Sequence, residues 1–256
     1  MNKIAAAFDH GKAFIAFITC GDPDLETTGK AVRAAVENGA DLIELGIPFS
    51  DPTAEGPVIQ EASLRALQGG VTTDLIFDFV REVRKDVTVP MVFMTYANVI
   101  FSYGAEKFIS TCEQIGFDGL ILPDLPYEEK EEFLPLCRQY GVALISLIAP
   151  TSDNRAAMIA REAEGFIYLV SSLGVTGTRS EITTDLKPLI RVIRENAKVP
   201  VAIGFGISTP EQAKTMADLS DGAIVGSAIE KILAKYGKEA PAYISEYVKS
   251  MKEALK

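Results

Sequence analysis

The sequence predicts an α/β protein: one (β/α)8 TIM barrel over residues 1–256, with an extra N-terminal helix. Three observations carry this expectation. One phrase recurs along the chain: an amphipathic stretch, a Gly or Asp turn, then four to six apolar residues. The apolar runs are rich in Val, Ile, Leu and Phe and do not alternate with polar residues, which marks strands buried on both faces. No linker, charge block or low-complexity segment divides the 256 residues, a length that a single α/β barrel routinely occupies.

The opening MNKIAAAFDHGKAF lacks the long apolar core of a signal peptide. It reads as a short amphipathic helix with Ile4 and Phe8 on one face and Gly11 ending it. His10, the sole histidine, falls at that helix's end, a poor place for a Ser/His triad or a histidine metal site. AFIAFITCGDP supplies the first strand, and ENGADLIELG contains the second. VTVPMVFMTYAN holds the third, where Pro90 opens a strand without interrupting its ladder. QIGFDGLILPD, QYGVALISLIA and EAEGFIYLVS follow as the fourth to sixth. AKVPVAIGFGIS, entered through Pro200, and LSDGAIVGS complete eight.

Helices are predicted over Leu25 to Asn38, Tyr103 to Ile115, Glu128 to Tyr140 and Pro210 to Leu219, where Pro210 suits a first helical turn. Eight alternations in this length favour a closed barrel over an open doubly wound sheet. The dinucleotide fingerprint that GFGIS resembles also fails. Gly204-Phe205-Gly206-Ile207-Ser208-Thr209 has no third glycine and stands near the chain's end rather than after the first strand.

Hydrophobic residues are 48% of the chain against 23% charged, with mean hydropathy +0.17, so there is apolar material for one large core. The net charge of −10 and pI near 4.8 argue against nucleic acid or an anionic membrane, which need clustered Lys and Arg. No run approaches the ~18 apolar residues of a membrane span. Cys20, Cys112 and Cys137 are odd in number, widely spaced and outside any CxxC pattern. They are expected to be reduced thiols of a cytoplasmic protein, without disulfide or metal.

In such a barrel the chemistry belongs at the C-terminal strand ends and the loops after them. Gly174-Val175-Thr176-Gly177 follows the sixth strand, Gly204-Phe205-Gly206 ends the seventh and Gly226-Ser227 the eighth. Backbone N–H groups at Gly177, Gly206, Gly226 and Ser227, with a helix start beside them, suit a phosphate; plain turn glycines are the other reading. In the second strand Leu42, Glu44 and Gly46 share one face. If that face points into the barrel, Glu44 is a carboxyl poised for acid/base work by partial desolvation; a buried structural glutamate is the alternative. Asp124 is a second candidate carboxylate, or a turn former between Pro123 and Pro126. Tyr168, Tyr96 and Asn98 stand where each could orient a substrate or a carboxylate, or satisfy a loop. Phe17, Met94, Ile121, Phe205 and Ile224 would line the same mouth, or simply form barrel core. With a phosphate cradle they suggest a ligand with an apolar body and a phosphate tail.

LIELGIPFSDPTAEGPVIQ, FITCGDPD, YANVIF, LPDLPYEE, YLVSSLGVTGTR, GFGISTPEQ and VGSAI resemble, in order and spacing, the α subunit of tryptophan synthase across essentially the whole chain. The resemblance implies a TIM-barrel carbon–carbon lyase that splits indole-3-glycerol phosphate into indole and glyceraldehyde 3-phosphate. It also implies an αββα complex in which the β subunit, not this chain, uses pyridoxal phosphate. It makes Glu44 the acid/base glutamate and puts Glu55 at the second carboxylate, which usually is an aspartate bonded to the indole N–H. It implies that Thr176 is a hydroxyl of the mobile loop, that Tyr168 walls the indole site and that Ile59 joins the apolar surface. Pro48 and Asp51 fall on the segment that meets the β subunit. Thr53 replaces a usually aliphatic residue, and Ser172 stands where some members carry arginine. Two other readings share these features: a sugar-phosphate isomerase or indole-glycerol-phosphate synthase, and a non-catalytic activating subunit. No lysine lies on a predicted strand for the first, and the joint presence of Glu44, Glu55 and the phosphate glycines argues against the second.

Overall fold

The computed structural model describes residues 3–150, 152–171 and 185–256. Eight strands close a barrel in sequence order: β1 (Ala13–Thr19), β2 (Leu42–Gly46), β3 (Met91–Met94), β4 (Gly119–Ile121), β5 (Ala143–Ile148), β6 (Ile167–Val170), β7 (Val201–Gly204) and β8 (Gly222–Val225). Every adjacent pair is parallel, β8 returning to β1.

The strands sort their side chains with a period of two. Ile15, Phe17, Leu42, Val92, Met94, Ile121, Tyr168 and Ile224 pack inside the barrel. The alternate residues, such as Phe14, Ile43, Leu45, Phe93, Leu169 and Val225, pack outward under the helices. This settles the parity left open for β2: Leu42, Glu44 and Gly46 take the inner face. Register sets Glu44 beside Phe17 of β1 and Val92 of β3.

The recurring Asp turn has a structural purpose. Asp41, Asp118 and Asp221 each stand just before an even-numbered strand and accept an N–H from the neighbouring odd one: Phe14 at 2.6 Å, Met91 at 2.9 Å and Val201 at 2.8 Å. Each carboxylate thus satisfies a donor at the barrel's N-terminal rim. Lys252 of the C-terminal helix Ala240–Ala254 also binds Asp41, at 2.6 Å, tying that helix to the same rim.

Several helices differ from expectation. The first spans only Lys3–Ala6; Phe8 lies in the following turn, its ring 5.9 Å from Phe166. Ile4 is fully buried in the inner cluster and plugs the barrel. The helix expected over Tyr103 to Ile115 forms as Ala105–Gln114, and a separate helix, Ala97–Tyr103, precedes it, because Gly104 between them takes φ +93°, a conformation no α-helix contains. Glu128 to Tyr140 becomes a 3-10 turn, Tyr127–Glu132, and a short helix, Leu134–Gln139, restarted with Pro135 in its first turn. Leu25–Glu37 and Pro210–Leu219 form as expected, the latter closed by a Thr209/Gln212 capping box. Two helices, Pro57–Gln68 and Thr73–Val83, fill the β2 to β3 connection. No helix among the described residues is long and apolar enough to cross a membrane.

Candidate active site

At the C-terminal end of the barrel the strands converge on a cavity. Phe17 of β1, Glu44 of β2, Met94 of β3, Tyr168 of β6 and Ile224 of β8 form its floor and walls. Ile59, in the first turns of Pro57–Gln68, covers one side, and Phe205, Gly206, Gly226 and Ser227 close the β7–β8 side. Ile207 also lines it, a residue hidden from sequence reading because GFGIS reads simply as a turn. Ile121 is wholly buried in the inner cluster without lining the cavity.

Glycines make room for the two large rings. A Cβ on Gly46 would fall 2.6 Å from Phe17 Cζ, and one on Gly226 would fall 3.1 Å from Phe17 Cδ1. On Gly204 it would overlap the Tyr168 hydroxyl. Gly204→Ala is therefore expected to displace Tyr168 and to destabilise the fold by about 1–3 kcal/mol, as overpacking does. Thermal unfolding together with the KM for substrate checks this; an unchanged melting temperature and KM would show that Tyr168 is not held there.

Beside Gly204, Phe205 adopts φ +74°, a left-handed conformation costly for an aromatic residue. Ser171 supports it: its N–H donates to Gly204 O at 3.0 Å and its hydroxyl to Phe205 O at 2.7 Å. The turn leads directly into Gly206.

Glu44 is 1% exposed, and its Oε2 has no hydrogen-bond partner among the described residues. Burial, reinforced by the nearby Glu55 charge, pushes its pKa up to about 8. Glu55, 4% exposed, follows the turn after β2 and accepts a hydrogen bond from the Tyr96 hydroxyl. Burial raises its pKa to about 7 even though the Tyr96 bond opposes the rise; the Asp124 charge adds to it. Tyr96 is itself set by Ala54 N–H at 3.0 Å and by Phe49, ring to ring at 5.0 Å. Tyr96 thus orients a carboxylate. Asp124 receives Ala97 N–H on both oxygens, at 3.1 and 3.2 Å, and so caps the helix Ala97–Tyr103. Two buried carboxyls with raised proton affinity, one whose Oε2 has no hydrogen-bond partner among the described residues and one held by a tyrosine, are suited to divided acid/base and electrostatic roles.

A sequence model of the tryptophan synthase alpha chain family matches residues 5–256. The chain belongs to that family. It is similar to the tryptophan synthase alpha chain of Lacticaseibacillus casei, 50% identical over 255 residues, covering 100% of this chain and 96% of the other. Among solved structures it is similar to tryptophan synthase subunit alpha from Legionella pneumophila, with TM-score 0.87, 35% identity and coverage of 100% and 98% of the two chains. It is also similar to a chain from Pyrococcus furiosus, solved in work on mutual activation of that organism's a2b2 complex. That match has TM-score 0.87 and 36% identity, and covers 95% of this chain and 99% of the other. As a tryptophan synthase alpha family member, the chain is a carbon–carbon lyase of tryptophan biosynthesis.

Other features follow the tryptophan synthase alpha reading less directly. Thr176, Gly177 and Ser172 lie outside the described residues. Asp51 is exposed, its carboxylate taking the Ser50 hydroxyl at 2.6 Å, whereas Pro48 is buried by the chain itself. A larger cavity of about 350 Å³ adjoins at Phe205 and is lined by Thr53, Ala54, Leu147 and Val170 among others. Its Lys130 and Arg155 are ion-paired, with Glu162 and Glu128. No cluster of three or more His, Cys, Asp or Glu suited to a metal occurs among the described residues. The three cysteines are buried free thiols, each with its pKa raised by burial.

Proposed function

We propose that Glu44 and Glu55 carry out the retro-aldol cleavage of indole-3-glycerol phosphate. The observation that supports this best is Glu44: a buried carboxyl with a pKa near 8, its Oε2 without a hydrogen-bond partner among the described residues, lining a cavity with Phe17, Ile59, Met94, Tyr168 and Ile224. At neutral pH it holds a proton and delivers it to indole C3. The resulting carboxylate takes the proton of the adjacent glycerol hydroxyl. The C3–glycerol bond breaks, its electron pair returns to the ring, and an aldehyde leaves, so Glu44 ends protonated as it began. Glu55, ionised, accepts the indole N–H and stabilises the positive charge that C3 protonation creates.

Phe17, Ile59, Met94, Tyr168, Phe205 and Ile224 hold the indole and glycerol body. Gly206, Gly226 and Ser227, with Gly177, take the phosphate at the start of the helix Ser227–Tyr236. An isomerase or synthase reading would call for different strand-end groups, and β1 to β8 carry no lysine.

The same reading makes the chain one folding unit over residues 1–256, in the cytoplasm, without a cofactor of its own. It would hand indole to a β subunit carrying pyridoxal phosphate in an αββα heterotetramer, with Asp51 and Pro48 on the loop facing that partner. Because that loop also carries Glu55, partner binding would act by ordering a catalytic group.

The pH profile of indole release tests the division of roles. Activity requires Glu55 ionised and Glu44 protonated. It should fall as pH drops through about 7 and fall again as pH rises through about 8. Tyr96→Phe removes a bond that lowers the Glu55 pKa, so its acidic limb should move to higher pH. A profile flat from pH 6 to 9 would contradict the assignment.

A further inference from the structure

A third buried carboxyl lies outside the catalytic cavity. Glu230, wholly buried, sits one turn into the helix Ser227–Tyr236, where its N–H donates to Gly226 O at 3.0 Å. It does not line the cavity, and its Oε1 accepts the N–H of Thr19, the last residue of β1, at 2.6 Å. Two residues before Thr19 stands Phe17, whose ring packs closely against Gly226. One carboxyl therefore joins the strand that presents the aromatic wall to the helix whose start presents Gly226 and Ser227.

We propose that Glu230 is a positioning residue that clamps the end of β1 to the helix Ser227–Tyr236, setting Phe17 and the Gly226–Ser227 amides in the spacing that the phosphate-bearing substrate needs. The inference rests on the reading of those amides as the phosphate cradle.

Burial favours the neutral form of this clamp. Asp22, 1% exposed, is bound by Arg65 of Pro57–Gln68 through Nε at 2.8 Å and Nη2 at 2.7 Å. Burial, with the Asp22 charge adding to it, raises the Glu230 pKa to about 8, although the Thr19 N–H bond and the Arg65 charge oppose the rise. The Cys20 thiol on the same loop is driven up by burial and by Glu230. An ionised Glu230 would put negative charge within the first turn of the helix and oppose a phosphate dianion at its start, whereas the protonated form leaves that positive end to the ligand. The clamp rests on the Thr19 N–H bond to Oε1.

Glu230→Leu deletes the acceptor and leaves the Thr19 N–H buried and unpaired; Glu230→Gln keeps an acceptor oxygen but cannot ionise. KM and kcat for indole-3-glycerol phosphate, and the Kd of sn-glycerol 3-phosphate, would be measured for both variants and wild type at pH 6.5 and 9. Leu is expected to raise KM and Kd about tenfold with kcat within about twofold, as loss of one buried hydrogen bond implies. Gln should restore wild-type values at pH 6.5 and lose less glycerol phosphate binding than wild type at pH 9, since the ionisation of Glu44 is common to both proteins and only wild type adds a charge at position 230. A Leu variant with unchanged KM and Kd overturns the proposal. If Leu does not fold, the Gln comparison decides: a pH 9 loss of binding equal to that of wild type overturns it. The glycerol phosphate measurements read the clamp even if wild type releases no indole, so failure of the lyase mechanism would be seen separately.

Discussion

Glu44→Gln is expected to lower indole release by about 10²–10⁴-fold, the range associated with a lost general acid/base, while making the folded chain harder to unfold at pH 8. Glutamine keeps the volume and polarity of the side chain but cannot donate a proton to C3 or take one from the glycerol hydroxyl. The stability effect follows from the raised pKa. Between pH 4.5, the ordinary value, and about 8, the folded chain holds a proton that the unfolded chain has released. The folded state binds more protons in that window, so wild-type stability declines as pH rises through it. At ~1.4 kcal/mol per pH unit, the difference grows to a few kcal/mol by pH 8, and the glutamine variant does not suffer it. Denaturant unfolding at pH 5 and pH 8 reads this directly: similar midpoints at pH 5, and a higher one for the variant at pH 8. Near-normal turnover in a folded Glu44→Gln would remove the acid/base role.

Glu55→Ala is expected to reduce turnover by about 10²–10³-fold, the cost of losing one group placed where charge develops in the transition state. It also strips the Tyr96 hydroxyl of its acceptor, at about 1–3 kcal/mol of stability, so Glu55→Gln is the necessary companion because it retains an oxygen for Tyr96. Both variants remove the charge that helps raise the Glu44 pKa, so the alkaline limb of any residual activity should move to lower pH. If both turn over at wild-type rates, the longer side chain at position 55 does not reach the indole nitrogen.

Much of the fold was legible because it rests on periodicity. Runs such as LIELG and FIYLVS are apolar on both faces, which only strands covered on both sides require, and the Asp turns before β2, β4 and β8 recur because each caps a neighbouring strand. Helix ends were harder to place. Gly104 and Pro135 each divide a stretch whose side-chain pattern runs on, since one residue's backbone preference outweighs the pattern around it. The inner face of β2 could not be read from alternation alone, as Leu42 and Ile43 are equally apolar; closure of the barrel around Leu42 decides it.

Within the site, Phe17, Glu44, Met94, Tyr168 and Ile224 were found because strand ends are predictable positions, whereas Ile59, on a helix, came only from the family resemblance and Ile207 was missed. The partnership of Tyr96 with Glu55 joins two different loops, and nothing local encodes it; the sequence marked Tyr96 only as a residue near a strand end. Gly46 and Gly204 matter for what they lack, room that Phe17 and Tyr168 occupy, and this shows only when the strands are side by side. Glu230 lay unnoticed in VGSAIEK because an acidic residue in a first helical turn is ordinary, and only its burial beneath β1 sets it apart.

The most direct measurement is to incubate the purified, folded protein with indole-3-glycerol phosphate and follow indole and glyceraldehyde 3-phosphate together, alone and with a β subunit, beside Glu44→Gln. The two products should appear in equal amounts from wild type, faster with the partner, and nearly vanish in the variant. A folded wild-type protein that releases no indole in either condition would contradict the account.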